Sequence, residues 1–328
     1  YQGSSGGPPD FTGGQWSGPG GPSWPTLFAS TFGLTATPSL VGGNNYAWGG
    51  ARTGVNEDPF GAPWLDQQVM RYQLSGSQPD GRTLVSIMIG GNDVANSLGN
   101  AAALQEGITS IITQIANLYG MGVRQFAVSN VPDVGATPRF QEIDAGQPGA
   151  AALATFWTMQ WNAALETAVD ELELPGAVIS FFDFFSFSKD PELLAVFANT
   201  TDACITFASD GSISSLCSDP ASYFYWDSFH PSSTSHALLA EELRQTVPAA
   251  LLQKLLADVT GVGPGKSLAD KVTLAQMYYA PPDVEATCEV LNGFENQVRA
   301  QSGKKLTDDQ AAGFTSDASA IMEAIGCN

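Results

Sequence analysis

Leu84-Val85-Ser86-Ile87-Met88-Ile89-Gly90-Gly91-Asn92-Asp93 is the stretch whose reading decides the fold. Its first six residues form a short, nearly continuous apolar run, the pattern of a parallel strand covered on both faces. The run ends in paired glycines, where a backbone can turn sharply, and then in two polar side chains. Downstream, Ile108, Ile111, Ile112, Ile115 and Leu118 recur at helical spacing, and Gly120 and Gly122 mark the stop. A second strand is expected over residues 123–128, a long helix over about 148–173 ending before Pro175, and a third strand over 177–182. A final helix is expected over about 234–258, with Pro248 bending or splitting it. This β–α–β–α–β order predicts an α/β fold built on a doubly wound parallel sheet. Function in such sheets gathers in loops beyond the carboxyl ends of the strands. Chemistry is therefore expected after Ile89, after Val128 and ahead of the last helix.

Upstream, residues 1–43 are rich in Gly, Pro, Ser and Trp and read mostly as loop, with one apolar amphipathic piece over 24–32. The opening Tyr1-Gln2-Gly3 reads as that of a mature or trimmed product, with no recognisable leader. Downstream, Gly261-Val262-Gly263-Pro264-Gly265 reads as a linker. The expected organisation is a large α/β domain over 1–258, a linker over 259–266 and a small all-α domain over 267–328. Capping boxes are expected at Ser267 with Asp270 and at Thr307 with Gln310. Val284, Cys288, Leu291 and Val298 mark one apolar face there, and Ala318, Ile321 and Ile325 another. No catalytic constellation falls in this part, so it reads as a stabilising or spacing appendage.

The chain has 328 residues, 43% of them hydrophobic, enough for a sizeable core. Lys and Arg total 13 against 33 Asp and Glu, a formal charge of −20. That balance excludes a nucleic-acid partner, whose phosphates need a basic surface, and disfavours anionic membranes. It also serves solubility. No run of about 18 apolar residues is present, so no membrane span is expected. The four cysteines, Cys204, Cys217, Cys288 and Cys327, form no CxxC pair, and there are two histidines, so neither a zinc cluster nor a cofactor is expected. The pairing Cys204–Cys217 and Cys288–Cys327 respects the domain boundary and places the protein in an oxidising compartment, secreted or periplasmic.

The sharpest chemical signal is Trp226-Asp227-Ser228-Phe229-His230-Pro231. Asp and His three apart lie on one side of a turn, so the carboxylate can fix the imidazole tautomer and stabilise the imidazolium. His236, inside the following helix, reads as a packing or hydrogen-bonding residue. In Gly90-Gly91-Asn92-Asp93, an Asn amide after a strand can donate to a developing oxyanion; the plainer reading makes Asn92 or Asp93 a helix N-cap. In Asn44-Asn45-Tyr46-Ala47-Trp48-Gly49-Gly50-Ala51-Arg52, a short strand ending in paired glycines can offer a backbone N–H to the same oxyanion. It lacks the spacing of a dinucleotide loop.

These three fragments, in this order, resemble the Gly, Asn and His blocks of the SGNH/GDSL serine esterases. Gln15-Trp16-Ser17-Gly18 with Trp24, the Gln68 region, the stretch from Asn130 to Pro138 after a strand, and Trp161-Asn162 resemble the family as well. The resemblance covers about residues 1–258 and implies a three-layer α/β/α fold and ester hydrolysis through an acyl-serine. It implies His230 as general base, Asp227 as its orienting partner, and Gly50 (rather than Gly49) with Asn92 in the oxyanion hole.

The family's first block departs: the sequence holds no Gly-Asp-Ser. Ser4 and Ser5 stand where a nucleophile could be, but no apolar strand precedes them. The serine is therefore expected on an upstream segment, such as a peptide cleaved but still bound. The expected substrate is a small-molecule, lipid or polysaccharide ester, with aromatic residues such as Trp24, Trp48 and Trp64 suited to an acyl or sugar surface. The alternative is a catalytically inactive extracellular binding module on an esterase scaffold; a metal-dependent hydrolase has too few ligands. A neutral His230 is required of a base, so the rate is expected to fall as pH drops below about 6.5, the ordinary imidazole value. A pH–rate profile flat between about 5 and 8 would remove His230 from that role.

Overall fold

The computed structural model describes residues 22–54, 62–263, 265–279 and 283–327; Ser4, Ser5 and Gln15-Trp16-Ser17-Gly18 lie outside them. Two helices come first, α1 (Trp24–Thr31) and α2 (Leu65–Leu74). Strand β1 (Leu84–Met88) leads into α3 (Gly91–Asn96) and α4 (Ala101–Gly120), and β2 (Gln125–Ser129) into α5 (Pro138–Gly146) and α6 (Ala150–Asp170). With β3 (Val178–Phe182) these strands form a parallel sheet in the order β1-β2-β3. The register runs from Leu84↔Gln125↔Val178 to Met88↔Ser129↔Phe182, so the three strands end level and their following loops gather at one edge.

Period-two alternation sends the side chains to two cores. Ile87, Phe126 and Val128 pack with α2, α4 and α6 on one face. Ala127 and Phe182 pack with α1 and the long α9 (Ser233–Val259) on the other. The result is an α/β/α sandwich. No strand pairs with the outer edge of β1 among the described residues, and Ser86, between Leu84 and Met88, is exposed.

The helix expected over about 148–173 forms as the single helix α6, entered through Gly149 at φ +98°, with Asp144 accepting from the N–H groups of Gly149 and Ala151. Two other local expectations need correction. The strand expected before Gly49-Gly50 is a loop with isolated bridge positions at Asn45, paired with Pro38, and at Trp48. Pro248 does not split α9, which runs unbroken for 27 residues; Val247, Leu251, Leu252 and Leu255 bury its flanks and outweigh the proline's cost of about 3 kcal/mol.

Between β3 and α9 the chain makes an excursion through α7 (Phe184–Phe187), α8 (Pro191–Leu194), β4 (Asn199–Ala203), β5 (Ile205–Phe207), β6 (Ile213–Leu216) and β7 (Tyr223–Tyr225). There β4 pairs parallel with β7, β5 pairs antiparallel with β6, and the Cys204–Cys217 disulfide ties the hairpin. After α9 come α10 (Ser267–Tyr279), α11 (Val284–Gln301) and α12 (Asp308–Ile325), with Cys288–Cys327 joining α11 to the end of α12. Thr307 and Gln310 form the expected capping box. Ser267 lies in the first turn of α10, where its Oγ accepts from Gln297 Nε2. The apolar cluster of α9 continues without interruption into Leu268, Val272, Leu291, Phe294 and Ile321. No described helix is long and apolar enough to cross a membrane.

The turn after β1 is held by Trp161 of α6, which is wholly buried. Gly90 sits at φ +119°, and a Cβ there would lie 2.6 Å from the indole. Gly90→Ala is therefore expected to cost about 3 kcal/mol or more through backbone strain and overpacking. Gly50→Ala, at φ +75° with open space around it, should cost only about 1–2 kcal/mol. Comparing the two in urea melts tests the contact. Leu255→Ala, removing a wholly buried side chain of α9, should cost about 2–5 kcal/mol by the same measurement.

Candidate active site

The segment between β7 and α9 folds around one carboxylate. Asp227 Oδ1 accepts from the backbone N–H groups of Phe229 (2.8 Å) and His230 (2.7 Å), which winds the loop back on itself. The Trp226 N–H then reaches the His230 carbonyl at 2.8 Å. That turn brings His230 Nδ1 to 2.8 Å from Asp227 Oδ2 and 3.1 Å from Oδ1. A carboxylate facing Nδ1 selects the tautomer protonated there and makes Nε2 the basic nitrogen. Burial pushes the Asp227 carboxyl up, but the His230 ring and the two backbone donors outweigh it and hold the pKa below the usual carboxylate value. Asp227 therefore stays ionised beside the imidazole. The loop is fastened at its far end by Ser232, the N-cap of α9, and by Ser235 Oγ, which donates to the Phe224 carbonyl at 2.7 Å.

The loop after β2 supports this turn from the side. The Arg139 N–H donates to the Ser228 carbonyl at 2.8 Å, and Asn162 grips Val131 by both its N–H (2.9 Å) and its carbonyl (2.8 Å). Asn130 bridges to Asp183 and to the Phe185 N–H. Gln68 is buried and donates to the Pro63 carbonyl at 2.8 Å. These contacts account structurally for residues of the Gln68, Asn130 and Trp161-Asn162 stretches.

In the turn after β1, neither polar residue is a helix cap. The N-cap of α3 is Gly90, with no side-chain capping bond. Asn92 Nδ2 instead donates to the Ala51 carbonyl at 3.0 Å, and Asp93 Oδ1 accepts from the Thr53 N–H (3.1 Å) and Oγ1 (2.7 Å). These three bonds reach the loop that carries Gly50, some forty residues away. One Asn92 amide hydrogen is engaged at Ala51, and a second remains in the same group's donor set.

Gly50, Asn92 and His230 all line one cavity of about 830 Å³, which runs along β1 toward α12; Gly49 is not part of its wall. His236 lines it too, but burial, with the charge of His230 adding, pushes its pKa down to about 3, so the ring is neutral. Two features were beyond sequence reasoning. The Thr53–Asp93 pair has no motif of its own. Ser23, read as loop, places a hydroxyl in the cavity wall that is buried and without a hydrogen-bond partner among the described residues. Among the described residues no group of His, Cys, Asp and Glu could hold a metal ion.

The profile of the family described as GDSL-like Lipase/Acylhydrolase matches residues 5–243. Two GDSL esterase/lipases of Arabidopsis thaliana are similar to the chain. One is 26% identical over 190 residues, covering 49% of each chain; the other is 28% identical over 193 residues, covering 49% of this chain and 50% of the relative. Lipase 1 of Photorhabdus luminescens is 36% identical over 129 residues, 38% of this chain and 20% of that protein. The chain spans about half the length of the two plant relatives. With a profile that covers most of its length, the chain belongs to the GDSL-like lipase/acylhydrolase family.

Proposed function

We propose that the protein is a secreted carboxylic ester hydrolase working through an acyl-serine intermediate. The observation that carries this reading is the His230–Asp227 pair opening on the cavity shared by Gly50 and Asn92. His230 Nε2 takes the proton of a serine hydroxyl as its oxygen attacks the ester carbonyl. The carbonyl oxygen gains the negative charge of a tetrahedral intermediate. The Gly50 backbone N–H and Asn92 Nδ2 donate to it, each such donor contributing on the order of 3 kcal/mol. His230 then returns the proton to the departing alcohol, and water repeats the sequence on the acyl-enzyme. Asp227 remains ionised throughout and stabilises the imidazolium, as its depressed pKa supports. The two disulfides support an oxidising compartment. Aromatic walls at Phe28, Phe32, Tyr46, Trp48 and Tyr72 suit a small-molecule, lipid or polysaccharide ester.

The nucleophilic serine comes on an upstream segment that lies beside β1. The cavity follows β1 along its length, and a strand edge that no described strand pairs with calls for a peptide partner for its N–H and C=O groups. An acyl chain could satisfy none of them. A strand parallel to β1 would end where β1 ends, beside Gly90 and Asn92, and would deliver its next residue to His230.

The test is a denaturing intact mass of the native protein after reaction with a fluorophosphonate, which labels activated serines. A label on a serine of an upstream segment, covalently joined or retained as a bound peptide, is the expected result. A label on Ser23 would move the nucleophile into the cavity wall. An unlabelled, folded protein would favour the inactive binding scaffold.

A further inference from the structure

Asn92 and Asp93 are adjacent, and their side chains grip two residues, Ala51 and Thr53, of one distant loop. Asn92 holds the Ala51 carbonyl, and Asp93 holds both donors of Thr53. Thr53 is wholly buried, and its own carbonyl accepts from Ser110 Oγ of α4. Its Oγ1 occupies the space a Cβ on Gly107 would need, 2.6 Å away. The Gly50 loop is thus fixed against α3 and α4 at one buried point.

A carboxylate is a costly anchor here. Asp93 is 7% exposed, its Oδ2 has no hydrogen-bond partner among the described residues, and burial raises its pKa despite the Thr53 bonds. Helix capping does not explain it, since Gly90 is the N-cap. What the carboxylate supplies is one oxygen accepting two hydrogen bonds from Thr53, stronger than a neutral acceptor would make.

We propose that Asp93 is a positioning residue for the oxyanion hole: through Thr53 it holds the Ala51 carbonyl where it orients the Asn92 amide, and so sets the spacing between Gly50 N–H and Asn92 Nδ2. The inference rests on the role given to Asn92 above and names a residue that acts on it from behind. Asp93 touches no substrate. Its loss should loosen the transition-state contact while leaving ground-state binding intact.

The experiment measures kcat and KM on p-nitrophenyl acetate with the full-length natural protein. Asn92→Ala should lower kcat on the order of 100-fold. Asp93→Ala should lower kcat about ten-fold or more with KM within about two-fold, as expected of a misplaced rather than missing donor. Asp93→Asn keeps an acceptor oxygen and should restore most of that loss. In the Asn92→Ala background, Asp93→Ala should add less than about two-fold, because the two act through one group. Thr53→Val, similar in shape but lacking the hydroxyl, covers the case in which Asp93→Ala fails to fold, and should show the same kcat-selective loss. Fully additive losses in the double variant, or a wild-type kcat in Thr53→Val, would overturn the inference and leave the esterase reading standing. A wild-type kcat in Asn92→Ala would overturn both.

Discussion

The indole of Trp161 fills the space that side chains at Gly90 and Gly107 would need, and the geometry of the site hangs from that contact. A Trp buries on the order of 200 Å², and here that area joins α6 to α4 and to the turn after β1. The next residue, Asn162, holds Val131 in the turn after β2 by two hydrogen bonds. Consecutive side chains of one helix therefore fix the two loops that leave the sheet's carboxyl edge. Everything that follows Gly90, from Asn92 to its grip on Ala51, inherits its position from a rigid ring rather than from loop geometry.

The other half of the site is built independently. Asp227 serves its own backbone and the His230 ring at once, so the loop that carries the imidazole is closed by the group that orients it. Removing that carboxylate would take away the tautomer control and the fold of the loop together. The two halves meet across the cavity, joined laterally by Arg139 and Ser228. A protein carrying a formal charge of −20 keeps this carboxylate ionised by local donors rather than by a basic environment.

The parallel sheet is legible in the sequence because its strands are short apolar runs separated by helices of clear 3.6-residue period, as in Ile108 to Leu118. Asp227 and His230 are legible because three residues separate them and one turn suffices to join them. Both disulfides follow from spacing. The excursion from α7 to β7 is not legible: its strands are three to five residues long and mostly exposed, so no alternation emerges. The clamp on Thr53 is hidden for a different reason. Its partners lie forty residues apart, and nothing in either residue type distinguishes a buried long-range anchor from an ordinary turn. Pro248 misleads because local propensity yields to the leucines packed on either side of it.

The far end of the cavity is lined by Ala320, Glu323 and Ala324 of α12, next to Leu84 at the start of β1. The wall of one compartment is thus made from residues separated by more than two hundred positions along the chain. On the ribosome, β1 and α4 emerge long before α12, and the leucines of α9 stay uncovered until α10 to α12 follow. Non-local closure of this kind is slow and exposes apolar surface in the meantime. The C-terminal helices thereby set the time during which a nascent chain is vulnerable to aggregation and in need of a chaperone.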